Sequence, residues 1–222
     1  MGLLARDLVV SRPGLVPYAD ALPLQTALHE QRSNKEIADT LVLLEHPHVF
    51  TIGRRGSRED VLWDDDVLKA RGVEVVEADR GGQVTYHGPG QIVGYPIVDL
   101  GPGADLAQYV RRLEDVLIRT LVRFGLTGER DEGNTGVWMK NSKVAAIGVR
   151  VTRGVTKHGF ALNVCPDLSY FAGIVPCGIT DKGVTSMALH LGSPPPSDSI
   201  YEALEQEFVG VFGYTNVLEP VA

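Results

Sequence analysis

The stretch Val144-Ala-Ala-Ile-Gly-Val-Arg-Val151-Thr-Arg-Gly-Val-Thr-Lys-His158-Gly-Phe-Ala-Leu-Asn-Val164 decides the class of fold. Its two ends, Val144–Val151 and Gly159–Val164, are apolar and rich in β-branched residues, which predicts two strands. The residues between them, 152–158, make a connection of hairpin length, whereas a parallel βαβ crossover needs a dozen residues or more. The segment therefore argues against a regular βαβ winding.

The remaining pattern mixes strands with a few helices. Apolar residues at helical spacing run from Leu106 to Phe124, with Asp105 as a plausible N-cap and Gly125 at the end. Further helices are predicted around Tyr18–Gln31, where Pro23 should disturb the first turns, and around Ser199–Phe212. Other strands are predicted near Leu8–Val10, Thr40–Leu44, Val49–Ile52, Val73–Glu77, Ile92–Val98 and Val137–Met139. This order predicts an α+β fold, or a mixed-sheet α/β fold, in one domain over residues 1–222.

Composition narrows the class of protein. The 222 residues are 44% hydrophobic and 22% charged, as in ordinary globular proteins, and carry a formal net charge of −7. Without a basic block, nucleic acid is not an expected partner. The N-terminus is too interrupted by charge for a signal peptide, and no run approaches the ~18 apolar residues of a membrane helix. We expect a cytoplasmic protein with no membrane partner, whose two cysteines, Cys165 and Cys177, are free thiols.

A glycine-rich segment, Arg80–Gln91, is the first candidate for chemistry. It holds four glycines in twelve residues, and Gly81 and Gly82 would let the main chain approach a ligand closely. Thr85, Tyr86 and His87 add polar groups in a strand-like stretch. The segment is interpreted as one wall of a ligand site, although a hairpin with tight turns at both ends explains it equally well.

Two further residues could carry chemistry. Lys143 stands at the mouth of an apolar strand beside small residues, where burial could lower its pKa; an ordinary exposed lysine is the alternative. Cys177 lies between Pro176 and Gly178, in a turn that could present its sulfur to a substrate. Cys165 fits better as an ordinary buried thiol. The pair His46 and His48 is interpreted as structural, and no metal site is predicted.

Several of these segments together carry a resemblance. The chain resembles the lipoyl(octanoyl) transferase family over most of its length and in that family's order. The matching segments are Leu44–Gly53, Arg80–Gln91, Gly94–Leu100, Gly136–Trp138, Lys143–Arg150, His158–Asn163 and Pro176–Ile179.

The resemblance implies a fold like that of biotin and lipoate protein ligases, a mixed sheet flanked by helices. It also implies that Cys177 and Lys143 are the catalytic pair. The substrate-binding residues that it implies form three groups: Arg80, Gly81, Gly82, Gln83, Val84, Thr85, Tyr86 and His87; Ala146, Ile147 and Gly148; and Gly159, Phe160 and Ala161.

The implied reaction moves an octanoyl group from octanoyl-acyl carrier protein, through a Cys177 thioester, to a lysine of a lipoyl domain. The implied acceptors are 2-oxoacid dehydrogenase acyltransferase subunits and the glycine-cleavage H protein. The donor thioester is already activated, so no ATP, metal or other cofactor is expected, and the chain is expected to act as a monomer. Three rival hypotheses are an ATP-dependent lipoate or biotin ligase, a cysteine hydrolase using Cys177 and His87, and a non-enzymatic acyl-binding module.

Overall fold

The computed structural model describes residues 6–175 and 182–220. The helices are α1 (Tyr18–Ser33), α2 (Asp65–Ala70), α3 (Leu106–Arg123), α4 (Met187–Leu191) and α5 (Ser197–Phe212). The strands are β1 (Asp7–Leu15), β2 (Asp39–Glu45), β3 (Val49–Ile52), β4 (Glu74–Glu77), β5 (Val84–His87), β6 (Gln91–Ile97), β7 (Val137–Met139), β8 (Ser142–Thr152), β9 (Val155–Asn163), β10 (Gly183–Val184) and β11 (Asn216–Leu218).

The strands form one large and one small sheet. The large sheet has the order β10-β8-β9-β6-β2-β1-β11, and β7 also pairs with β8. Its central strands, from β8 to β2, are antiparallel, whereas β1 pairs in parallel with both β2 and β11. The small sheet has the order β4-β3-β5. The predicted α+β fold with a mixed sheet is confirmed.

The β8–β9 hairpin is the longest antiparallel pairing, running in register from Ala145 opposite Leu162 to Thr152 opposite Val155. The predicted loop 152–158 is shorter in the structure: only Arg153 and Gly154 connect the strands. Both have positive φ, 54° and 79°, which is the geometry of a type I′ turn. The turn's twist matches that of the strands, so the hairpin continues almost to its tip.

Helices cover both faces of the large sheet. On one face α3 and α5 pack against each other and over apolar residues of the central strands, including Leu41, Leu43 and Leu162. Asp105 caps α3 by accepting hydrogen bonds from the backbone of Ala107 and Gln108, as predicted. On the other face α1 packs on β6 and β9. Helix α1 is continuous through Pro23, where a disturbance was expected.

Cys165 and two short helices also differ from the sequence-based expectation. Cys165 is exposed and not buried, because β9 ends at Asn163 and the chain turns there; the Cys165 backbone donates to the Gly90 carbonyl at 2.9 Å. The short helices α2 and α4 were not predicted. None of the helices within 6–175 and 182–220 is long and apolar enough to cross a bilayer.

Candidate active site

A cavity of about 530 Å³, here called the main cavity, lies on the α1 side of the large sheet. Its floor is formed by β8 and β9, and one wall is the glycine-rich segment that begins at Arg80. Lys143 lines it, and so do all the predicted binding residues except Val84 and Tyr86. Those that do are Arg80, Gly81, Gly82, Gln83, Thr85, His87, Ala146, Ile147, Gly148, Gly159, Phe160 and Ala161.

Strand alternation explains the two exceptions. Successive side chains of a strand point to opposite faces, so Thr85 and His87 face the main cavity while Val84 and Tyr86 face away from it. Tyr86 is fully buried in the core of the small sheet against Phe50, and its hydroxyl lies 2.9 Å from His48 Nδ1. Val84 lines a smaller cavity of about 50 Å³ that adjoins the main one at Thr85, Lys143 and Ala146.

Lys143 stands at the start of β8, opposite Trp138 of β7. Its Nζ lies 4.7 Å from the centre of the Trp138 ring, within range of a cation–π interaction. The Nζ of Lys182 lies 4.8 Å from the same ring and forms an ion pair with Asp131. Gly136 lies beside the Lys143 stem and has a φ of 121°, and a Cβ there would come within 2.5 Å of the Ala145 carbonyl oxygen, so the position requires glycine. The Trp138 ring therefore lies close to the amines of both lysines.

Arg80 is a buried part of the cavity wall, 7% exposed. Its guanidinium donates to the Thr51 carbonyl at 2.5 Å and to the Gly81 carbonyl at 3.0 Å. A Cβ on Gly53 would lie 2.7 Å from Arg80 Nη1, and one on Gly148 would lie 3.3 Å from Arg80 Cδ. These glycines thus give the arginine the space it needs.

His87 is held by a chain of hydrogen bonds behind the cavity. Its Nδ1 lies 2.6 Å from Gln91 Oε1, and the Gln91 amide donates to Asn163 Oδ1 at 2.8 Å. Asn163 in turn donates to the Thr185 carbonyl. Since the Gln91 oxygen can only accept, Nδ1 carries the proton and Nε2 is an acceptor. Burial lowers the pKa of His87 well below its usual value, so the ring is neutral.

His158 is a candidate site residue that sequence reasoning missed. It lines the cavity, is 1% exposed, and has a φ of 59°, a strained conformation for a residue with a Cβ. Its Nε2 lies 2.5 Å from Asp79 Oδ1, and Asp79 also pairs with Arg150 and Lys157. Burial lowers the pKa of His158 to about 4 despite the carboxylate. The imidazole is therefore neutral at pH 7.

A second group of buried polar rings lies beside it. His46 donates from Nδ1 to the Val16 carbonyl at 2.6 Å, and its Nε2 accepts from the Tyr95 hydroxyl at 2.6 Å. Tyr18, from the first turn of α1, packs against both His46 and His87. Tyr18 and Tyr95 line the main cavity, whereas His46 supports them from behind.

Other lining residues that were not predicted are Arg55, Val93, Gly133, Asn134 and Thr135. The run Asp131-Glu-Gly-Asn-Thr-Gly136 carries turn-forming residues, which could have indicated a loop near a site. No comparable signal marks Tyr18, whose position in the first turn of a helix is that of an ordinary core residue.

Cys177 lies outside the described residues, so its predicted pairing with Lys143 remains a prediction. Partial burial raises the pKa of the Cys165 thiol, which disfavours the nucleophilic thiolate there. Over residues 6–175 and 182–220, no group of three His, Cys, Asp or Glu side chains could hold a metal ion.

Known proteins match this chain in sequence and in fold. Residues 17–209 match the family model of the lipoyl protein ligase A/B catalytic domain. An octanoyltransferase of Chloroflexus aggregans is 49% identical over 211 residues, covering 93% of this chain and 96% of the relative. An octanoyltransferase of Chloroflexus aurantiacus is 48% identical and covers 98% of this chain and 99% of the relative.

Solved structures resemble it in fold. A lipoate-protein ligase A bound with ATP superposes with a TM-score of 0.77 at 14% identity, covering 99% of this chain and 90% of that one. A putative lipoate protein ligase from T. acidophilum gives 0.74 at 14% identity, covering 98% and 90%. A biotin protein ligase from Aquifex aeolicus gives 0.52 at 9% identity, covering 95% and 70%. At these identities the likeness concerns the fold alone.

Proposed function

Because this chain belongs to the octanoyltransferase family and is an acyltransferase, we propose that it takes its octanoyl group from octanoyl-acyl carrier protein and delivers it to a lysine of a lipoyl domain. The acyl group would pass through a thioester on Cys177, with Lys143 as the proton carrier. Residues 1–222 would act as one catalytic domain.

The observation that carries the proposal is the place of Lys143 in the main cavity. The lysine shares this cavity of about 530 Å³ with Ala146 and Ala161, whose side chains are small. At about 0.8 kcal/mol per buried methylene, the roughly six methylenes of an octanoyl chain could contribute on the order of 5 kcal/mol before ordering costs. The cavity is thus suited to hold a medium-length acyl group beside an amine.

The first half-reaction exchanges one thioester for another. Lys143 accepts the Cys177 proton, and the thiolate attacks the donor carbonyl. The tetrahedral intermediate then breaks its bond to the pantetheine sulfur, which takes the proton back from Lys143 as it leaves. Thioester replaces thioester, so this step needs no ATP.

The second half-reaction forms an amide. The acceptor lysine, as a neutral amine, attacks the octanoyl thioester, and Cys177 leaves as thiolate while the amine loses a proton to Lys143. Amide formation makes this step favourable. Lipoyl domains of 2-oxoacid dehydrogenase acyltransferase subunits and the glycine-cleavage H protein are the proposed acceptors, and no cofactor is proposed.

Intact-mass spectrometry after mixing the protein with octanoyl carrier protein tests the nucleophile. We expect one hydroxylamine-labile octanoyl adduct, lost in Cys177→Ala and kept in the matched control Cys165→Ala. A wild-type protein without an adduct would contradict the mechanism. Consumption of ATP with turnover retained in Cys177→Ser would favour a ligase, and release of free octanoate would favour a hydrolase.

Lys143→Arg tests the proton carrier. Arginine keeps the charge but does not release its proton near neutral pH. We therefore expect single-turnover acylation to slow by roughly 10²-fold or more. A rate equal to that of the wild type would exclude proton transfer by this residue.

A further inference from the structure

A second lysine lies beside Lys143. Lys182 directly precedes β10, the strand that pairs in parallel with the start of β8 and places Val184 opposite Lys143. Both lysines line the smaller cavity of about 50 Å³, together with Trp138. The Nζ atoms of Lys182 and Lys143 lie 4.8 Å and 4.7 Å from the centre of the Trp138 ring, so the two nitrogens are at most about 10 Å apart. The Lys182 amine is therefore a close neighbour of the proposed proton carrier.

Lys182 is also close in sequence to the proposed thioester. It follows Cys177 by five positions, and a chain of that length spans at most about 18 Å even when it is fully extended. Two reactive groups on one short tether meet at a high effective concentration, which favours their reaction over one between separate molecules. An acyl group on Cys177 would thus always have the Lys182 amine within a short distance.

The Lys182 side chain carries the same nucleophile as the proposed acceptor, a primary amine on a flexible four-carbon stem. The structure holds this amine in an ion pair with Asp131, and the two side chains are 21% and 23% exposed. Hydrogen bonds from Lys182 and Asn134 lower the pKa of Asp131 to about 2, so the carboxylate is ionised at neutral pH. An ammonium has no lone pair with which to attack a carbonyl, so this ion pair opposes acylation of Lys182.

We propose that Lys182 is an internal acceptor, which takes the octanoyl group from Cys177 when no lipoyl domain is bound, and that the ion pair with Asp131 keeps this reaction slow. The Lys182 ammonium leaves the ion pair and releases one proton to solvent, and its nitrogen attacks the thioester carbonyl. The C–N bond forms, the C–S bond breaks, Cys177 leaves as thiolate, and a second amine proton passes to Lys143. The product is an octanoyl amide at Lys182. This inference rests on the proposed function, because it needs the Cys177 thioester.

Tandem mass spectrometry locates the acyl group. The wild type is incubated with octanoyl carrier protein and no acceptor, and is then treated with hydroxylamine, which removes thioesters but leaves amides. We expect a slowly accumulating, hydroxylamine-stable octanoyl group on Lys182 that is absent from Cys177→Ala. Direct chemical acylation by the donor would instead modify exposed lysines such as Lys35 and Lys140 and would persist in Cys177→Ala. That pattern would overturn the proposal.

Asp131→Asn tests the role of the ion pair. Asparagine keeps the size of the side chain but removes its charge, so the Lys182 amine is released. We expect acylation of Lys182 to become roughly fivefold faster, the upper range for a partly exposed ion pair. The matched control is Asp65→Asn, which removes the ion pair of Asp65 with Arg58, two residues that line neither the main nor the smaller cavity. Equal rates in the two variants would overturn the proposal.

Two adducts separate this inference from the proposed function. The hydroxylamine-labile adduct reports the Cys177 thioester, and the stable adduct reports the amide at Lys182. Lys182→Arg should lose the stable adduct and keep the labile one, because arginine retains the positive charge but is not a nucleophile near neutral pH. A labile adduct without a stable one, in both the wild type and Asp131→Asn, would overturn the inference and leave the proposed function standing. The absence of both adducts would contradict the proposed function as well.

Discussion

Glu114 anchors the loop that borders Lys143. It is a carboxylate of α3 with a side chain only 1% exposed. It accepts hydrogen bonds from Arg111 at 2.8 Å, from Arg130 at 3.1 Å and from the backbone of Gly136 at 3.2 Å. Residues 133–135 of the same loop line the main cavity. Glu114→Gln should therefore loosen this wall.

The size of the effect follows from those bonds. Glutamine can keep one oxygen on Gly136, but its amide nitrogen cannot accept from the arginines, so two charge-assisted bonds are lost. Arg111 and Arg130 are 50% and 37% exposed, and solvent screening reduces each bond to about 1 kcal/mol. We expect the free energy of unfolding to fall by about 2 kcal/mol, which corresponds to a Tm lower by about 4–8 °C for a chain of this length.

Urea unfolding measures the change, and Asp115→Asn is its control. Asp115 is the next residue of α3 and also pairs with Arg130, but it is 41% exposed. Its replacement should cost less than about 0.5 kcal/mol. Equal losses in the two variants would refute the argument that burial makes the difference. Exchange of the backbone amide hydrogens of residues 130–136 should become faster in Glu114→Gln but not in Asp115→Asn.

Two further predictions concern pH and backbone packing. Burial lowers the pKa of both His46 and His158 to about 4. Between pH ~6.5 and 4 the unfolded chain therefore binds protons at these two residues that the folded chain does not bind. The free energy of unfolding should be highest above pH ~6.5 and should fall as the pH drops towards 4. Urea unfolding at pH values from 7.5 to 4.5 should show this dependence of the free energy of unfolding on pH. The dependence should be weaker in His46→Gln and unchanged in the exposed control His190→Gln. A stability that does not change with pH would contradict the prediction. A Cβ on Gly159 would lie 2.1 Å from the Gly94 carbonyl oxygen, so Gly159→Ala should lower Tm strongly or prevent folding. A Cβ on Gly210 in α5 would have nothing within 4 Å, so Gly210→Ala should stabilise the protein by about 0.5–1 kcal/mol. Comparable melting curves for the two variants would contradict the packing argument.

The fold could be predicted where local pattern and tertiary role agree. The stripe from Leu106 to Phe124 predicts α3 almost to the residue, because its apolar face is the buried face. The start of β9 was missed because Thr156, Lys157 and His158 have the polarity of a loop. In the structure the Thr156 hydroxyl is fully buried and donates to the Pro96 carbonyl at 2.6 Å, a partner that is 60 residues away.

The site shows the same limit. The glycines beside Arg80 indicated a wall of the cavity, because their effect on the backbone depends only on neighbouring residues in the sequence. The alternation of β5, which separates Thr85 from Tyr86, follows once the strand is placed against a particular neighbour. The role of Tyr18 depends on α1 crossing β6 and β9, and the unusual φ of His158 depends on its hydrogen bonds to Gln25 and Asp79. No local pattern encodes these contacts.

The turn at Arg153 and Gly154 connects the two strands whose pairing decides on which face of the sheet Lys143 lies. Lys143 stands ten residues up the strand, about 33 Å away, yet the side on which it emerges is set by how β8 is aligned with β9. A slip of this pairing by a single residue would reverse every side chain of the shifted strand. The amine would then emerge among the helices on the opposite face. If Lys143 carries the proton as proposed, a change at the hairpin tip that caused this slip should reduce acyl transfer as strongly as replacement of the lysine itself.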